Sequence, residues 1–254
     1  MRVAVQHARR RDILAPPSRP EKAARTEELV KRYYDAVLVH TDPQVTPLEA
    51  SWPVSADLAA RLQYTGFVAP APAGPHPEAA GAGEVLVSAG GGAVGGPVFR
   101  AAVAAARLMP GVRLRLLVGG GDPSAEIAEL RDLAAGTDTV VEPARPDFRS
   151  MLTHAAASVS LCGYNTALDI LQTGTPAVFV PFDAGNEVEQ GLRAASLARL
   201  PAMRVVESGA LSPEALAESV AAVMAQGPRA PSRFGFDGAH RSVEIACALA
   251  GEGV

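Results

Sequence analysis

Between residues 84 and 206 short apolar runs alternate with helical segments, and this alternation limits the possible folds more than any other feature of the chain. Residues 85–88, 113–118, 137–141, 157–161, 177–180 and 203–206 read as strands. The segments between them read as helices: one opened by Pro97, then 125–134 with Ser124 as N-cap, 146–155, 166–173 and 188–198. A helix begun by Ser212 and Pro213 follows, and another over 239–250 closes the chain. Each helix carries the chain back to the edge it left, so successive strands run parallel. The implied class is α/β, a doubly wound Rossmann-like sheet whose ligands bind beyond the carboxyl ends of the strands.

Ahead of this region, residues 21–34 have helical periodicity with Ala24, Leu29 and Val30 apolar, and they lead into an apolar strand over 36–40. A helix over 55–62 and a strand over 63–68 repeat the pattern. These pairs indicate a partial second α/β domain over residues 1–68. Residues 69–83 carry Pro and Gly without periodicity and read as a linker, with the second domain running from 84 to 254 and its final helix free to pack back on the N-terminal part. The opening segment is low in apolar residues and holds Pro16, Pro17 and Pro20, so neither helix nor central strand is expected there. It reads as the middle of something larger.

Composition removes several functions. Hydrophobic residues make up 48% and aromatics 5%, which predicts an aliphatic core. A net charge of -4 lacks the basic surface that neutralises phosphates, so no nucleic-acid partner is expected. No run reaches the roughly 20 apolar residues needed to span a bilayer, and no apolar segment follows the basic cluster near Met1. Peripheral membrane contact stays compatible with that. Cys162 and Cys247 are the only cysteines, which argues against a disulfide framework and fits a reducing cytoplasm. Neither has neighbours at ligand spacing, so no metal and no cofactor are expected.

Gly90, Gly92 and Gly95 satisfy G-x-G-x-x-G between a strand and a helix, with Gly91 among them. Glycines let backbone N–H groups approach phosphate oxygens, and a helix N-terminus adds favourable charge. The following strand lacks the ribose-binding acid of a dinucleotide fold, Asp122 coming late, so a phosphate or sugar-phosphate loop is preferred to a nicotinamide site. A turn without ligand is the remaining reading.

The other chemistry-bearing stretch covers residues 161–190. Gly163 is expected to turn the chain sharply into a helix. Tyr164 follows it, and Asn165 and Thr166 stand at the helix N-terminus, where side chains and N–H groups meet anions. Asp169 lies one turn on along the same face, placed to accept hydrogen bonds from a ribose diol. Plain capping with a solvated Asp169 is the alternative. After Pro181, Asn186, Glu189 and Gln190 offer partners for sugar hydroxyls, or simply open a surface helix.

The run C-G-Y-N-T-x-x-D, then G-x-P, P-F and E-Q, resembles the donor-binding motif of GT-B glycosyltransferases. From about residue 84 to 200 the chain is similar to the carboxyl-terminal domain of glycosyltransferase family 28, whose members include the bacterial N-acetylglucosaminyltransferase that makes the peptidoglycan lipid intermediate. The resemblance implies a nucleotide-sugar donor, UDP-linked, and an acceptor that the sequence does not identify. It implies diphosphate contacts from Asn165 and Thr166, ribose contact from Asp169 in place of the usual Glu, and sugar contacts from Glu189 and Gln190. Uracil would meet the loop 141–148, which ends at Phe148. Two departures are Leu161, where many members have His, and a longer loop over 182–190. Residues 1–68 would be a remnant of the acceptor-side domain, with His40 at a strand end as the one candidate for acid–base chemistry. His40 also has a structural reading, and His154 has only that one. A binding module without turnover, a sugar-nucleotide epimerase and an NAD-dependent enzyme are the rival functions.

Overall fold

A computed structural model of the protein describes residues 5–8, 20–50, 52–89, 94–184, 188–231 and 235–251. The chain divides into two compact units, Met1–Ala71 with Arg233–Val254, and Pro72–Ser232.

In the first unit, β1 (Val5–Ala8), β2 (Ala36–Val39) and β3 (Leu62–Tyr64) form a parallel sheet in that order. The strand β1, paired with β2 from Val5 opposite Ala36, is an edge strand that was not among the strands expected from the sequence, which ruled out only a helix or a central strand ahead of Pro20. It sits at the sheet edge and ends before the prolines, so they do not interrupt its single ladder. Pro20 starts α1 (Pro20–Tyr33), where a missing N–H costs nothing. This helix buries Ala23 and Val30, and its Lys31 pairs with Glu27 at 2.9 Å. A short helix, α2 (Ala56–Ala59), is capped by Ser55, whose Oγ accepts from the Leu58 N–H at 3.2 Å. Val30, Val37, Val39, Leu48 and Leu58 form the core.

The second unit is organised on β4 (Val85–Ser88), β5 (Leu114–Val118), β6 (Thr139–Pro143), β7 (Ala157–Ser160), β8 (Ala177–Phe179) and β9 (Met203–Val205). They form a six-stranded parallel sheet in the order β6-β5-β4-β7-β8-β9. The chain winds outward from β4 on one side, returns to β7 on the other, and winds outward again. Ser88 of β4 is in register with Ser160 of β7, so the reversal falls between those two strands. A topological switch of this kind opens a crevice at the carboxyl ends.

The connecting helices are α3 (Gly96–Ala106), α4 (Ser124–Leu133), α5 (Phe148–Leu152), α6 (Tyr164–Thr173), α7 (Glu189–Leu197) and α8 (Pro213–Gln226). Val85, Val87, Leu116 and Val159 pack with Phe99 and Val103 of α3 and Val220 and Val223 of α8. Alternate residues such as Leu86, Leu117 and Phe179 point to the opposite face, so both faces are buried, as parallel sheets require. Ser212 caps α8, accepting from the Ala215 N–H at 3.1 Å. Ser124 does not cap α4: Pro123 holds that position, and Ser124 is the first helical residue, its N–H donating to Asp122 Oδ1 at 3.1 Å.

From Pro72 the stretch read as a linker belongs to the second unit. His76 is buried there, and its Nδ1 accepts from the N–H groups of Glu78 and Ala80, at 3.1 and 3.2 Å. The proton therefore sits on Nε2, which donates to Asp147 Oδ2 at 2.9 Å. Asp147 also takes Arg145 Nε at 2.8 Å. Asp147 stands at the N-cap of α5, which begins at Phe148, later than the expected residue 146. The final helix, α9 (Gly238–Ala250), belongs to the first unit. There the Phe67 N–H donates to Gly235 O at 2.8 Å, the Gly238 N–H donates to Phe67 O at 3.0 Å, and the rings of Phe67 and Phe236 stack 5.7 Å apart.

Candidate functional site

Leu161 and Cys162 continue the line of β7 as buried residues, and Gly163 takes the N-cap of α6 at φ -64° and ψ 151°. The first intrahelical bond runs from the Ala167 N–H to Gly163 O at 3.0 Å. The helix thus starts at Tyr164, two residues earlier than the sequence suggested. Asn165 and Thr166 lie inside its first turn and not at its cap, and their N–H groups precede the intrahelical ladder. The positive end of α6 is therefore presented at the carboxyl edge of β7. Asn165 is exposed, Tyr164 and Thr166 half-buried.

The steric role expected of Gly163 is not found. Its dihedral angles are open to any residue, and a Cβ there would meet no atom within 4 Å. What glycine leaves is open space in front of the turn. Gly95, at the N-cap of α3, is the opposite case: an added Cβ would lie 2.2 Å from the Ala89 Cβ and 2.8 Å from the Phe99 ring. Close packing of the loop end on β4 demands glycine there. Gly90, Gly91 and Gly92, and likewise Asn186, lie outside the described residues.

Asp169 is one turn along α6 from Asn165, with a side chain only 12% exposed. Its Oδ1 accepts from Arg149 Nε at 2.6 Å, and Arg149 Nη2 donates to Gln172 Oε1 at 2.9 Å. Burial pushes the Asp169 carboxyl above the ordinary carboxylate range, and Arg149 pulls in the other direction. Asp169 is therefore not a solvated surface acid. Arg149 escaped the sequence analysis because its partners lie on another helix, beyond the reach of spacing rules.

Glu189 opens α7 and pairs with Arg193 one turn later, while Gln190 Oε1 accepts from the Phe182 N–H at 3.2 Å. Gln190 thus anchors the chain just past Pro181. Arg193 was also missed, although the Glu-to-Arg spacing of four on a helix is a readable signal. Phe148 begins α5 and is half-buried. His40, in the first unit, follows β2, and its Nδ1 is 2.8 Å from Thr65 Oγ1. Among the described residues no group of three metal-ligating side chains occurs, and no helix is long and apolar enough to cross a membrane.

A six-stranded parallel sheet with a switch point and a helix N-terminus at its carboxyl edge is the Rossmann-like architecture that the chain shares with GT-B glycosyltransferases of known structure. The chain belongs to glycosyltransferase family 28: residues 101–233 match the model of the family's C-terminal domain. It is 33% identical over 138 residues to the UDP-N-acetylglucosamine–N-acetylmuramyl-(pentapeptide) pyrophosphoryl-undecaprenol N-acetylglucosamine transferase of Brucella anthropi, a match covering 53% of this chain and 37% of that protein. The enzyme of the same name from Prochlorococcus marinus is 30% identical over 162 residues, covering 63% and 43%. The chain thus spans less than half the length of these relatives. Among solved structures, the glycotransferase of kitacinnamycin is similar with a TM-score of 0.61 at 17% identity, covering 98% of this chain and 67% of that one. MurG of Acinetobacter baumannii is similar with a TM-score of 0.56 at 17% identity, covering 90% and 59%. At these identities the structural likeness speaks for the fold.

Proposed function

We infer that the protein binds a nucleoside-diphosphate sugar, UDP-linked, in the crevice beyond β4 and β7, and transfers the sugar to an acceptor on the cytoplasmic side. The observation that carries this reading is the first turn of α6: N–H groups at Asn165 and Thr166, open space before Gly163, and Asp169 one turn on. In the reaction the acceptor hydroxyl oxygen attacks the anomeric carbon and gives up its proton to a base, as the bond from that carbon to the diphosphate oxygen breaks. Charge grows on the departing diphosphate, where the positive end of α6 stabilises it. Asn165 and Thr166 meet that diphosphate, Asp169 held by Arg149 meets the ribose, and Glu189 and Gln190 meet the sugar. Phe148 and the loop before it border the base. The names of the relatives support UDP-N-acetylglucosamine as the first donor to test.

Calorimetry with UDP, together with a donor-hydrolysis and transfer assay, tests the reading. Asp169→Ala should weaken UDP binding about tenfold, the loss of one charge-assisted contact. Unchanged affinity in a folded variant would remove the ribose role. Binding without hydrolysis or transfer would favour a non-catalytic nucleotide-sugar module, and an epimerised product would favour the epimerase.

A further inference from the structure

Arg193, a guanidinium side chain, is only 5% exposed on α7. One Nη donates to the carbonyl of Cys162, the residue before Gly163, and the other donates to Glu189. Its guanidinium carbon lies 5.7 Å from the centre of the Tyr164 ring. Nε is buried without a partner among the described residues. As a packing group this is poor: burying a guanidinium with an unused donor is costly, and an apolar side chain would seat α7 at less expense. What an apolar residue cannot do is join two segments through a planar fork of donors. Arg193 does this, tying the turn after β7 to the first turn of α7.

We propose that Arg193 is the positioning residue of the sugar-nucleotide site. It fixes the distance between the turn that meets the diphosphate and the acid that meets the sugar, so that nucleotide and sugar are recognised in one geometry. This rests on the donor-site reading above. Glu189 is held at one end of the fork and the Cys162 carbonyl at the other, so a residue with one point of attachment cannot replace it.

The test uses the full chain and calorimetry with UDP and UDP-N-acetylglucosamine. Arg193→Lys keeps the charge but not the fork. It should unfold as cooperatively as the parent, while the Kd for the sugar nucleotide relative to that for UDP rises about tenfold. Glu189→Ala should raise the same ratio by a similar factor, and combining the two should add little, because both act through one unit. A parental ratio in folded Arg193→Lys overturns the proposal, as do multiplying effects in the double variant. Should Arg193→Lys fail to fold, a parental ratio in Glu189→Ala overturns it equally, since no sugar contact would be left to position. Failure of the parent protein to bind UDP is a different result, and it removes the donor reading together with this one.

Discussion

Gly174 closes α6 at φ +75°, and a Cβ built there would lie 2.1 Å from the carbonyl oxygen of Arg229. The contact exists because the segment after α8 is stapled to this helix end: the Arg229 N–H donates to Gly174 O at 3.0 Å, and Arg229 Nη2 donates to Ile170 O. Gly174→Ala therefore meets two penalties. A left-handed backbone costs an L-residue about 1–2 kcal/mol, and overpacking against a fixed backbone atom costs about 1–3 kcal/mol. The stiffer unfolded chain returns about 0.4–1 kcal/mol. The net loss should be about 1–5 kcal/mol. Gly136 supplies the control, with φ +80° and no atom within 4 Å of an added Cβ. Gly136→Ala meets the backbone penalty without the collision and should cost about 1 kcal/mol or less. Urea unfolding followed by far-UV circular dichroism measures both, with m unchanged. The only tryptophan, Trp52, lies in the first unit and would report the wrong transition. Equal losses for the two variants would refute the collision and the stapled arrangement behind it.

Ser212→Ala removes the cap of α8 and should lower stability by about 1 kcal/mol in the same assay. Arg145, and after it His76, hold the Asp147 carboxyl well below the usual range. A depressed folded-state pKa gives stability that is present above about pH 4 and is lost as pH falls through the folded value. Comparing Asp147→Asn with the parent from pH 7 down to about 2 should thus show a gap that narrows as acid is added. Because the pair is a third exposed, that gap should stay under about 1 kcal/mol.

The strands of the second unit were legible in the sequence because a doubly covered parallel sheet needs short apolar runs, and such runs stand out against helical spacing. Its strand order was not legible, since alternation fixes direction but not which neighbour a strand takes. The first strand of the chain, VQHA, was missed because an edge strand needs little apolar content. At the candidate site, the sequence placed a strand-to-helix turn at Gly163, Asp169 on the helix that follows and Glu189 near the start of the next helix, and the structure has them there. It misjudged why glycine occupies position 163: the space there is empty, and no strain has to be relieved. It also passed over Arg149 and Arg193, although both acids are held by them. Charge pairs across helices leave no periodic trace, and only the contact between Arg193 and Glu189 had a spacing that would have disclosed it.

The bridge between Val68 and Asp237 joins residues about 170 positions apart within a single unit, with the whole of Pro72–Ser232 between them. On a ribosome the chain emerges in order at about 5–20 residues per second. The continuous unit has every residue it needs first, while Phe67 waits for Phe236 and Gly238 to leave the exit tunnel. The unit begun earliest is therefore finished last, with Phe67 uncovered for the tens of seconds or less that the remainder takes to be made. A released chain ending just before Gly235 should be protease-sensitive around Phe67 and keep a protected second unit.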